Sequence, residues 1–130
     1  MSVPEKFLDL FTTSKRAFAH LATTMPSGAP QVTPVWFDYD GEHVIFNTAK
    51  GRVKERNLKE GSPVAMAISD PENPYRYIQI RGHVTEIIDD DPEMIRKLSL
   101  KYRGDSNYPL KEGEIRVTYK ITPDKASTMG

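Results

Sequence analysis

Short β-branched and apolar runs, each closed by a cluster of turn formers, constrain this chain more than any other feature of its sequence. Ala17 to Thr24 reads as a strand, after which Pro26-Ser27-Gly28-Ala29-Pro30 reverses the chain. Gln31 to Tyr39 is the returning strand, Asp40-Gly41 a hairpin signal, and His43 to Thr48 the third member of an expected meander. Val64 to Ser69 and Tyr75 to Ile88 are β-rich again on either side of Asp70-Pro71-Glu72-Asn73-Pro74, and Glu114 to Thr122 forms the last strand. Gly82 marks a bulge or a close contact within the longer of these. A small barrel closes about six such strands without leaving long edges.

Three short helices complete the expectation. Ser2 and Glu5 have the spacing of a capping box ahead of Phe7, Leu10 and Phe11, which share one helical face. Gly51 to Glu60 is a charged helix stopped by Gly61 and Pro63. Asp91 and Pro92 open a third, whose buried stripe is Met94, Ile95, Leu98 and Tyr102 and whose end lies near Gly104. The fold class is therefore mainly β (α+β), a six-stranded antiparallel barrel with a few short flanking helices, and 130 residues fit one domain over positions 1–130.

Lys and Arg together number 18 and so do Asp and Glu, so no global field draws the chain to nucleic acid or to an anionic membrane. The absence of Cys removes disulfides and thiolate metal sites, and the longest apolar run, Val64 to Ile68, is far below the roughly 20 residues of a membrane span. A cytoplasmic location is expected. The histidines at 20, 43 and 83 lack a zinc-binding spacing, and Asp89-Asp90-Asp91 reads as an acidic helix cap, so no metal is expected.

Two irregularities point to a site. Lys50-Gly51-Arg52-Val53-Lys54-Glu55-Arg56-Asn57-Leu58-Lys59 carries five cations and one acid, with Lys50, Arg52 and Lys54 at a helix start where acids are preferred. A bound phosphate would relieve that repulsion, while the plainer reading is a solvated face. One strand earlier, Pro34 in Thr33-Pro34-Val35-Trp36 confines its strand to an edge or an interruption, beside which Trp36 is large enough to wall a pocket. A basic helix could also serve as a binding module for an anionic partner, with Trp36 and Tyr77 stacking on bases, but zero net charge argues against nucleic acid as the main role.

Gly28 to Phe37, Val44-Ile45-Phe46-Asn47-Thr48 and Arg52-Val53-Lys54-Glu55-Arg56-Asn57-Leu58 together resemble the pyridoxamine 5′-phosphate oxidase-like split-barrel superfamily. Within it the chain is similar to the deazaflavin-dependent oxidoreductases that use coenzyme F420. Tyr77 to Val84 and Ile121-Thr122-Pro123 extend the likeness over nearly the whole chain. The resemblance implies a split barrel, a homodimer and a cofactor site between subunits. It implies that Arg52 and Lys54 grip the cofactor phosphate beside Asn57, and that Val32, Thr33, Pro34, Val35 and Trp36 face the tricyclic ring. It further implies that Asn47 and Thr48 line the ring and ribityl chain, and that Tyr77, Gln79 or Arg81 complete the partner's pocket. The chain stops soon after Pro123, without the Arg- and His-rich segment by which pyridoxamine phosphate oxidases bind substrate. F420 is favoured over FMN because Lys50, Arg56 and Lys59 could attract a polyanionic tail. In such enzymes the cofactor performs the hydride transfer, so no catalytic side chain is assigned.

Overall fold

The computed structural model describes residues 3–130. Ser2, half of the expected capping box, lies outside the described residues; Glu5–Phe11 forms a 3₁₀ helix whose Phe7, Leu10 and Phe11 are buried. The strands are β1 (Ala19–Thr24), β2 (Pro30–Val35), β3 (Asp38–Tyr39), β4 (Val44–Ala49), β5 (Pro63–Asp70), β6 (Asn73–Ile88) and β7 (Arg116–Met129). The helices are α1 (Val53–Asn57) and α2 (Pro92–Arg103). One antiparallel, curled seven-stranded sheet, in the order β2-β1-β5-β6-β7-β4-β3, carries the split-barrel architecture.

The strand count rises from six to seven because the expected strand from Gln31 to Tyr39 breaks at Trp36–Phe37. Its first part pairs with β1 and its last two residues with β4, so the expected meander does not form. The two edges of the sheet, β2 and β3, are consecutive in the chain, and the break between them is where the barrel opens. Pro34 is tolerated because β2 is an edge.

Backbone groups at such a break lose their ladder partners and must find others. Here α2 supplies them. Tyr102 Oη accepts from Phe37 N–H at 3.2 Å and donates to the Ala17 carbonyl at 2.6 Å, while Lys101 Nζ donates to the Phe37 carbonyl at 2.8 Å. Lys101 thus joins the buried face of a helix on which sequence patterning places only Met94, Ile95, Leu98 and Tyr102. As anticipated, α2 has Pro92 in its first turn and Gly104 beyond its end, in the left-handed region at φ 75°. Arg16 Nε bonds the Lys101 carbonyl at 3.1 Å in that last turn.

The long β6 and β7 hold the two halves together. Their register shifts between Arg81 and Gly82, where Gly82 faces Pro123, and again between Val84 and Glu86. This is why β7 continues to Met129 rather than ending at Thr122: Pro123 sits at a bulge, where its missing N–H costs no ladder bond. The core inside the curl is built from Leu21, Phe37, Phe46, Ile68, Ile80, Tyr119 and their neighbours. A second cluster, Ile95, Leu98 and Tyr102, seats α2 against Trp36 and Tyr108.

An ion-pair cluster ties the 3₁₀ helix to the β5–β6 turn. Arg76 reaches Asp9 at 2.6 Å and Asp70 at 3.1 Å, and Lys15 reaches Asp70 at 3.2 Å. The Arg76 bond is the main cause holding the Asp9 carboxyl below its ordinary value; for Asp70 the Glu72 N–H contributes most, followed by Lys15 and Arg76.

Two outcomes follow from this packing. A carboxylate depressed in the folded state stabilises it above its unfolded pKa, and that stabilisation is lost as pH falls through the folded value. Arg76→Met should therefore lower the melting temperature at neutral pH and flatten its decline below pH about 4; identical acid slopes in the two proteins would show the cluster to be inert. A Cβ at Gly82 would lie 2.3 Å from the Thr122 carbonyl oxygen. Gly82→Ala should cost about 3 kcal/mol in urea unfolding.

Candidate functional site

The break in the strand opens a cleft of about 200 Å³ between α2 on one side and β4 with the start of α1 on the other. Pro34, Val35 and Trp36 line it from β2 and the break, Asn47 and Thr48 from β4, and Arg52 and Lys54 from α1. Seven of the sequence-selected residues therefore meet in one place.

Others do not. Val32 stands on the outer face of β2, 63% exposed, while Thr33 sits beside it with a buried hydroxyl that has no hydrogen-bond partner. Lys50 lies past Arg52 in an adjoining groove with Lys111, paired to Asp89 at 3.2 Å. Asn57 turns away from the cleft and donates to Thr23 Oγ1 at 3.1 Å, tying α1 to β1 in a recess that Arg56 and Lys59 also line. Tyr77 and Gln79 are on β6, opposite Met129 and Ser127 of β7, and do not line this cleft of their own chain.

The electrostatics of the cleft differ from the sequence argument. The charged segment forms a helix of five residues rather than the expected run from Gly51 to Glu60, so little macrodipole develops. Glu55 folds back onto the Gly51 N–H at 2.7 Å. The repulsion that remains comes from Arg52 and from a third cation across the cleft, Arg116. Its Nε donates to Asn47 Oδ1 at 2.7 Å and its Nη1 to Glu114 at 2.9 Å. Asn47 Nδ2 in turn donates to Thr118 Oγ1 at 2.9 Å, and Thr118 donates to the Asp91 carboxylate. This chain of bonds fixes a guanidinium that is only 3% exposed. Burial, then Arg52 and Arg116, hold the Lys54 ammonium below its ordinary pKa. Three cations line the cleft with Glu114 as the acid paired to Arg116, which leaves an excess of positive charge that an anion would balance.

Aromatic rings also line the cleft, and one of them, Tyr108, lies under the Arg116 guanidinium at 5.5 Å. Trp36 stacks on Tyr102 at 5.3 Å with ring planes 3° apart, and Tyr108 meets Trp36 edge-on at 6.3 Å. Phe18, 44% exposed at the rim, packs edge-on against Tyr102. Thr48, also among the lining residues, is almost wholly buried opposite Val117, and its hydroxyl has no hydrogen-bond partner. An orphaned hydroxyl of this kind is a standing cost that a polar ligand can relieve.

Sequence reasoning missed Arg116, Phe18, Tyr108, Ile95 and Leu98 as lining residues. For Arg116 a signal existed: Arg116, Thr118 and Lys120 alternate with the apolar Val117, Tyr119 and Ile121, making one face of the last strand polar. Only the position of α2 over that face turns its first residue into part of a cleft.

The pyridoxamine 5′-phosphate oxidase family matches residues 4–130. The solved structure of an F420 reductase is similar at 38% identity, with 96% of this chain and 98% of that chain covered and a TM-score of 0.83. A putative pyridoxamine 5′-phosphate oxidase from Lactobacillus delbrueckii shares the fold at 22% identity, covering 97% of this chain and 93% of that one, TM-score 0.63. So does an FAD and heme binding protein from Mycobacterium smegmatis, at 20% identity over 99% of this chain and 71% of that one, TM-score 0.68. No curated protein matches the chain.

Removing the orphaned hydroxyl tests the site without a ligand. Thr48→Val should be neutral or stabilise the free protein by about 1 kcal/mol, read as the midpoint of urea unfolding. A clear loss of stability would show that the hydroxyl already has a partner within the fold.

Proposed function

The chain belongs to the pyridoxamine 5′-phosphate oxidase family, and from that premise we propose that it is an oxidoreductase transferring a hydride between the deazaflavin coenzyme F420 and a small organic substrate. The observation that carries this reading is the convergence of Arg52, Lys54 and Arg116 in a cleft that Trp36 and Tyr108 also line. That combination fits a phosphate attached to a planar ring. Arg52 and Lys54 hold the phosphate, as the resemblance implies, and Arg116 joins them with its plane fixed by Asn47 and Glu114. Phe18 and Trp36 shield the reacting end from water. Once bound, the cofactor supplies the hydride chemistry, and the protein contributes position, charge and exclusion of water.

Two further features support the finer reading. The groove holding Lys50 and Lys111 shares Arg52 and Tyr108 with the cleft, so a tail of carboxylates could continue from the phosphate into it, in competition with Glu112 and Glu114 of the same groove and with Asp89 on Lys50. This favours F420 over FMN, which has no tail. Each exposed pair is worth only about 0.2–1 kcal/mol and is screened by salt, so the preference is modest. The cleft, about 200 Å³, is also smaller than the roughly 300–1,000 Å³ of sites that enclose such ligands. A homodimer in which Tyr77 and Gln79 of one copy complete the cleft of the other supplies the missing wall.

The absorbance spectrum of the purified protein, followed by titration with F420 and with FMN, tests the proposal. Lys54→Glu should abolish binding of both at unchanged melting temperature; unchanged affinity for both would overturn the phosphate assignment. Affinity for F420 should fall with ionic strength more steeply than affinity for FMN, and Lys50→Ala should narrow the gap. Protein that purifies yellow with stoichiometric FMN and ignores F420 would establish FMN as the cofactor. Light scattering should return a dimer, and a monomer at every concentration would remove the shared site.

A further inference from the structure

We infer that Tyr102 and Lys101 are positioning residues for the cleft: by replacing the missing strand pairing at the Trp36–Phe37 break, they fix the Trp36 indole as its wall. The argument begins with geometry. Trp36 is the first residue beyond β2, which ends at Val35, so no strand pairing of the sheet holds it. The next residue is held instead at both of its backbone groups, its N–H by Tyr102 Oη and its carbonyl by Lys101 Nζ. Tyr102 acts twice, since the ring bearing that hydroxyl is also the surface on which the indole stacks. Lys101 Nζ lies 4.4 Å from the centre of the Phe37 ring and 5.1 Å from that of Tyr102, and 3.5 Å from the Phe11 carbonyl of the 3₁₀ helix. One ammonium therefore joins the first helix, the break and α2.

The ammonium is an expensive choice for such a post, because burial lowers its pKa to about 8. The charged groups around it come from every neighbouring element. Asp38 of β3 favours the charged form, Lys97 one turn earlier on α2 is bonded to Asp38 at 3.1 Å, and Arg16 ahead of β1 is bonded to the carbonyl of Lys101 itself. The Tyr102 hydroxyl, raised to about 12, stays protonated while Lys101 titrates. Above pH 8 the donor becomes neutral, its bond to the Phe37 carbonyl weakens, and its attraction for the two rings disappears. The wall of the cleft is then less firmly held.

Trp36 is the sole tryptophan, so its fluorescence reports this position directly. Acrylamide quenching of the full chain should rise in Tyr102→Phe, which keeps the ring and loses the hydroxyl, and in Lys101→Met. The wild-type emission should show a transition centred near pH 8 that is absent from Lys101→Met and kept in Lys54→Met, which removes the one depressed lysine that lines the cleft itself. Affinity for F420 or FMN should weaken about fivefold to tenfold in Tyr102→Phe. Only this binding arm rests on the proposed function. Shielding and pH profile unchanged in folded Tyr102→Phe and Lys101→Met overturn the positioning role. If Lys101→Met does not fold, unchanged quenching in Tyr102→Phe overturns it alone. Altered Trp36 signals in a protein that binds neither cofactor uphold positioning and reject the proposed function.

Discussion

The rest of the architecture depends on how one short gap in hydrogen bonding is filled. A sheet that curls toward closure and then stops leaves backbone donors and acceptors facing a core, where each unpaired group costs free energy comparable to a lost hydrogen bond. At Phe37 those groups are met by a phenol and an ammonium from a helix more than sixty positions further along the chain. That solution fixes where α2 must lie. It also sets the distance between the two sides of the cleft, because the helix that patches the gap brings Ile95 and Leu98 into the cleft lining.

The cationic end of the cleft follows a different logic. Arg52, Lys54 and Arg116 are brought together by separate elements, and nothing in the packing of the core requires three like charges to meet. Arg116 is bonded on two sides by Asn47 and Glu114, so its orientation is specified, and the Glu114 carboxylate balances one of the three charges and leaves the other two. Locally frustrated arrangements of this kind are expected where a chain is built for a ligand. The contrast with Arg76 is instructive: that guanidinium is paired with two carboxylates and a carbonyl, and its role is to fasten the 3₁₀ helix.

Much of the fold was legible because it is written in local chemistry. Alternation and turn residues locate the strands, Gly82 marks the bulge, and Pro92 with Gly104 brackets α2. The failures share a cause. Nothing within Gln31 to Tyr39 says that the strand divides between two edges, since Trp36 and Phe37 have ordinary strand propensity and the break is imposed by curling of the whole sheet. Pro123 reads as a terminator until its neighbour across the ladder is known to be Gly82 at a register shift. The lining of the candidate cleft was legible at Arg52, Lys54 and Pro34, although the helix whose start made the two cations look misplaced is only five residues long. It was illegible where a residue acts only through a distant partner, as Arg116 does through α2 and as Asn57 does in binding Thr23 rather than the cleft.

The position of β7 has a consequence for synthesis. This strand pairs with β4 on one side and with β6 on the other, so Val44 waits for Ile121 and Tyr77 for Met129. Contacts between such distant positions form late, after the entropy of a long loop has been lost. As the chain leaves the ribosome, β4, all six of whose residues end up buried, must therefore exist for a time with an open ladder on the side that β7 will cover. An apolar strand in that state is a template for pairing with another nascent chain, and anything that delays β7 lengthens the exposure.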